Sequence, residues 1–114
     1  PCAKFVFNVL AEWDPSKYFN IAERISGMHT KAIRRMPCHK KRHDELTRYV
    51  QLFQLQDVTN KQRLEGDIVL TSVIDGRYMS HVGIWTEKGI LHLNPKDRKL
   101  VCDKGVKILM VVKL

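Results

Sequence analysis

The sequence predicts an α+β fold in which N-terminal helices pack on a four- to five-stranded antiparallel sheet. Three observations carry that expectation. Apolar residues recur at helical spacing through the first half of the chain. Short β-branched and aliphatic runs, separated by turn signals, fill residues 66–113. Helices come first and strands after, which is the order of α+β domains and not of alternating α/β ones.

In the stretch CAKFVFNVLAEW (2–13), the residues Phe5, Val6, Val9, Leu10 and Trp13 form one stripe, so an amphipathic helix is expected with Cys2 in its first turn. Asp14-Pro15 then predicts a cap and a first helical position. Tyr18, Phe19, Ala22 and Ile25 give this second helix its apolar side, and Gly27 is its expected C′ stop. Residues 28–42 hold a basic tract (Arg34, Arg35, Lys40, Lys41, Arg42) and fit either a loop or the polar face of a broken helix. Leu46, Tyr49, Val50 and Phe53 predict a further helix over 44–56.

The strands come next. An aliphatic run at 67–74 meets Asp75-Gly76, a hairpin signal, and a second run at 80–86 reads SHVGIWT. Glu87-Lys88-Gly89 turns the chain into Ile90-Leu91-His92-Leu93. Residues 94–97 look like a turn, 99–102 like a short strand and 106–112 like a buried one. With no internal repeat or low-complexity tract, residues 1–114 read as a single domain, long enough for one core.

A net charge of +8 favours a polyanionic partner, whether nucleic acid, an anionic membrane surface or an anionic cell-wall polymer, or serves solubility alone. For nucleic acid there is charge only, because no RNP-like or helix-turn-helix pattern accompanies the basic tract. The longest apolar stretches, such as 108–112, are too short to span a bilayer. No signal-peptide pattern is visible, and the start at Pro1 reads as a processed or excised domain. Three cysteines without a CxxC pair argue against a disulfide framework and predict at least one free thiol. Cys38, His39 and His43 have the look of metal ligands but lack a second Cys/His pair, so no metal and no cofactor are expected.

The chemistry-bearing residues are Cys2, His81 and His92. A cysteine in the first turn of a helix feels the positive end of the helix dipole, which favours thiolate. An imidazole can take the thiol proton, and a third polar group must hold that imidazole in the right tautomer. His81 and His92 lie eleven residues apart across a turn near Lys88, so they are expected as neighbours on one face. The plainer readings are a small buried thiol and two hydrogen-bonded structural histidines. Cys38 is a rival nucleophile, close to His39 and His43. Cys102 is expected in the core and Asp67 as a backbone tie at a strand start. Trp85 fits either the face of the histidines or a core anchor.

The blocks CAKFV, GDIVL, SHVGIW and GILHLNP, in that order, resemble the NlpC family of papain-like cysteine peptidases, the bacterial and phage cell-wall hydrolases. That family shows D-C-S/A-x-F-V, G-D-L-V-F-F, H-V-G-I-Y and I-H-A-P. The resemblance covers the first helix and residues 64–95. It implies a papain-like core with Cys2 as nucleophile, His81 as general base and His92 as the orienting residue. It also implies hydrolysis of an amide bond in peptidoglycan stem peptides without a cofactor, at the bacterial cell wall or periplasm or in a phage particle. There are departures. Pro1 replaces the usual acidic residue, the histidine spacing is about one residue tighter, and the tyrosine that often precedes the nucleophile has no counterpart. Residues 14–63 match nothing in the family and are expected to carry specificity. His92-Leu93-Asn94-Pro95 also resembles the lecithin:retinol acyltransferase-like proteins, acyltransferases and thioesterases on the same core, but there the cysteine follows the histidines. A non-catalytic tail or wall-binding module on this fold is the remaining alternative.

Overall fold

Helix α1 (Cys2–Trp13) buries Ala3, Val6, Phe7 and Leu10, which share one face because Val6 and Phe7 lie three and four residues after Ala3, and Leu10 four and three after them. The expected stripe is therefore rotated: Phe5 and Val9 flank it, half-buried, and Trp13 is 65% exposed. The Trp13 ring instead covers Gly66, where φ is +93° and a Cβ would come within 2.7 Å of the indole. The structure, a computed structural model, describes residues 2–28, 39–72, 76–94, 97 and 99–114, without the side chains of Cys2, Met28 and His39. Arg34, Arg35, Cys38 and Asp75 lie outside the described residues.

Helix α2 (Pro15–Met28) starts as expected, with the Asp14 carbonyl accepting the N–H groups of Lys17 and Tyr18. Tyr18, Ile21, Ala22 and Ile25 are buried, whereas Phe19 is turned out to solvent. Gly27 lies inside the helix and is not its C′ stop. Helix α3 (His39–Leu52) begins and ends earlier than the periodicity suggests. It absorbs Lys40, Lys41 and Arg42 into its first turns and buries Leu46 and Tyr49, with Phe53 just beyond its end. It stops where Gln54 adopts a left-handed φ of 53° and the Leu55 N–H donates to the Val50 carbonyl at 2.9 Å, a Schellman-type ending. Ring contacts of Phe7 with Tyr18 and of Phe53 with both Phe7 and Tyr49 join the three helices into one core.

The sheet comprises β1 (Gln56–Asp57), β2 (Ile68–Ser72), β3 (His81–Thr86), β4 (Gly89–Leu93), β5 (Leu100–Asp103) and β6 (Lys107–Lys113). Among the described residues the spatial order is β1-β6-β2-β3-β4-β5, and every neighbouring pair is antiparallel. Strands β2 to β5 form the expected meander, and β6 returns to pair with β2 across a register shift at Leu70/Thr71. β1, whose first residue Gln56 periodicity assigns to the end of a helix, is a two-residue edge strand, followed by Thr59, whose hydroxyl accepts the Val111 N–H at 3.1 Å.

Ile68, Leu70, Val82, Ile84 and Val112 join the helices in the main core. Alternation along the strands puts His81, Gly83 and Trp85 on the opposite face, beside Val69 and Val111. The tight β3–β4 turn requires Gly89, whose φ is +140° and where a Cβ would stand 2.8 Å from the Asp103 carbonyl oxygen.

Candidate functional site

His81 is the first residue of β3 and His92 the fourth of β4, so both sit toward the same rim of the sheet. Their pairing depends on Gly83. A Cβ there would stand 2.5 Å from Ile90 Cγ2, 3.1 Å from the Leu91 carbonyl oxygen and 3.4 Å from His92 Cβ. The bare backbone lets His92 come alongside. His81 Nε2 and His92 Nδ1 are then 2.8 Å apart, with the rings edge-to-face at 81°. The expected juxtaposition of the two imidazoles is present, and both residues are only 5% exposed.

The chain of contacts continues further than the sequence suggested. His92 Nε2 lies 2.8 Å from Asp103 Oδ2 on β5, and that carboxylate-bearing side chain is 54% exposed. Asp103 was not singled out by the sequence reading. A signal existed, since His81, His92 and Asp103 repeat at a step of eleven residues, a step that an antiparallel meander can bring into one line.

Burial holds His81 well below its ordinary value, at about 4, and the neighbouring charge of His92 works in the same direction. The Leu93 carbonyl pulls the other way and the Arg42 guanidinium adds to the depression. At neutral pH His81 is therefore an uncharged imidazole, which is the form a general base needs.

α1 packs against β3 and β4. Its last residue, Trp13, lies on Gly66, whose N–H donates to the carbonyl of Trp85 near the end of β3 at 2.9 Å. Near its start, Ala3 lines the same apolar crevice as Val82, the second residue of β3. The helix thus runs along β3 in the same direction. Twelve helical residues and six extended ones each span about 17 Å. The N-terminal end of α1, where Cys2 is the first helical residue, accordingly lies at the His81 end of β3.

The other candidates among the described residues have partners of their own. His43 Nδ1 accepts the Met79 N–H at 3.0 Å and its ring meets Tyr78 edge-on, a structural role that ties α3 to the approach to β3. Among the described residues no cluster of three His, Cys, Asp or Glu could hold a metal. Cys102, expected in the core, is exposed on β5 with its Sγ 3.8 Å from Thr86 Oγ1, because β5 is the sheet edge. Asp67 has the expected role: its Oδ2 accepts the Leu64 N–H at 2.8 Å. Trp85 is half-buried beneath the Arg63 guanidinium at 5.6 Å, two pleats from His81. No helix among the described residues is long and apolar enough to cross a membrane.

No protein-family model, curated protein or solved structure matches the chain.

Proposed function

We propose that the protein is a cysteine hydrolase that cleaves an amide bond in peptidoglycan stem peptides, built on a papain-like core of the NlpC type. The observation that carries this reading is the placement of the α1 N-terminus, with Cys2, at the end of the sheet where a buried, uncharged imidazole, borne on the face opposite the helices, bonds to a second one. In the proposed reaction the free nitrogen of His81 takes the Cys2 thiol proton. The thiolate attacks the scissile carbonyl carbon, and the Cys2 backbone N–H helps hold the oxyanion. The protonated His81 returns its proton to the leaving amine as the C–N bond breaks. Water, deprotonated by the same ring, then releases the acyl group from sulfur. His92 orients His81 throughout. The net charge of +8 suits an anionic wall. Replacing Cys2 by Ala should abolish release of peptides from purified peptidoglycan while leaving the thermal melt almost unchanged. Wall cleavage that survives Cys2→Ala refutes the assignment.

One observation favours a second reading, a wall-binding or tail module that keeps the fold without the activity. Both histidine rings are nearly fully buried, as a purely structural pair would be. Iodoacetamide near neutral pH separates the two. The hydrolase alkylates at Cys2 much faster than at Cys38 or Cys102, whereas in the inert module Cys2 labels no faster than the exposed Cys102.

A further inference from the structure

We infer that Asp103 is a positioning residue that fixes the proton arrangement of the whole histidine chain, so that His81 presents an unprotonated Nδ1. This deepens the hydrolase reading and rests on it for its catalytic meaning, though the arrangement itself follows from geometry. A carboxylate can only accept hydrogen bonds, so the 2.8 Å contact from Asp103 Oδ2 requires a proton on His92 Nε2. In a neutral His92 the other nitrogen, Nδ1, is then bare and must accept. Two groups face that nitrogen: the Leu93 carbonyl at 3.3 Å, which cannot donate, and His81 Nε2 at 2.8 Å; the shorter contact sets the arrangement, and His81 Nε2 carries the proton and donates it. The lone pair of neutral His81 is left on Nδ1, the only nitrogen still able to take a proton from a thiol. A thiol on the Nε2 side would find no base.

The same chain stabilises the product of proton transfer. When His81 becomes an imidazolium its Nε2–H already points at His92 Nδ1, and the Asp103 carboxylate lies at the far end of the line. No rearrangement is needed at the moment of transfer. Gly89 and Gly83 secure this geometry from the backbone. Gly89 brings the β3–β4 turn close to the Asp103 carbonyl, and Gly83 admits His92 beside β3.

The alternative arrangement is a doubly protonated His92 that donates to His81 Nε2 and forces the proton of His81 onto Nδ1, which would silence the base. Long-range 1H–15N correlation spectra of the imidazoles at pH 7 distinguish the two states in the full chain, with no need for substrate. Wild type is expected to show the Nε2–H tautomer for both His81 and His92. Asp103→Ala should give mixed tautomers at both rings. Asp103→Asn, which retains an oxygen acceptor, should restore the wild-type pattern. On peptidoglycan, kcat should fall about 10- to 100-fold in Asp103→Ala, by analogy with the loss seen when the outer partner of a metal-bound histidine is removed. KM should change little, and Asp103→Asn should recover part of kcat. A protonated His81 Nδ1 or a charged His92 in wild type, or ring shifts identical in Asp103→Ala, overturns the inference. Should wild type cleave no wall at all, the hydrolase reading fails while the spectra still decide the role of Asp103.

Discussion

Acid should destabilise this protein through His81 in a measurable and removable way. The ring titrates near 6.5 in an unfolded chain and is held at about 4 in the fold. A histidine depressed on folding costs nothing above pH 6.5, where both states leave it neutral. Below that, the unfolded state binds a proton that the folded state refuses, so stability falls with decreasing pH until about pH 4, where the folded state protonates as well. At about 1.4 kcal/mol for each tenfold difference in proton affinity, the loss reaches roughly 2–3 kcal/mol by pH 4.5. That is a sizeable share of the stability of a domain this small. Carboxylates titrate in the same region, so the informative quantity is the difference between wild type and His81→Asn, taken from equilibrium urea unfolding at each pH from 7.5 to 4.5. Wild type should lose 2–3 kcal/mol relative to the variant over this range, nearly all of it below pH 6.5. A difference that stays flat within about 0.5 kcal/mol would show that burial does not hold the ring neutral, and the argument for a ready base at neutral pH would go with it.

Gly83→Ala should lower Tm by about 5–10 °C. The clash with the buried Ile90 and the Leu91 backbone costs roughly 1–3 kcal/mol, only partly offset by the better strand propensity of Ala. The same variant should broaden or shift the His92 ring signals, and an unchanged melt would mean that β3 and β4 separate freely. Gln54→Gly should raise Tm by a few degrees, because about 1 kcal/mol of left-handed strain at φ 53° is relieved on an exposed residue. No gain in the melt would place the helix ending elsewhere.

Much of the fold was legible because it rests on local rules. The meander could be read from 67–93 because its runs are β-branched and its turns carry glycine where φ is positive, as at Gly76 and Gly89. Asp14-Pro15 opened α2 as expected. The errors share a cause. Trp13 and Phe19 sit at the margins of their helices' apolar faces, and whether such a residue is covered depends on which neighbour arrives. At Trp13 a glycine does, and at Phe19 the ring stays in solvent. Gln56 reads as the last residue of a helix, and only the ladder of Gln56 and Asp57 with Lys113 and Val112 makes the pair a strand.

For the site, the sequence by itself determined that two imidazoles would meet. An eleven-residue step across a tight turn brings together residues on adjacent antiparallel strands whatever else the chain does. It also placed a cysteine at the start of a helix, since capping and apolar periodicity are properties of a few neighbouring residues. Tertiary structure alone decided the rest. The burial that keeps His81 uncharged, the approach of Asp103 from the sheet edge and the direction of α1 along β3 all depend on which surfaces pack together. Proton affinity follows the dielectric and charges in space around a ring, and no order of residues along a chain specifies those until it has folded.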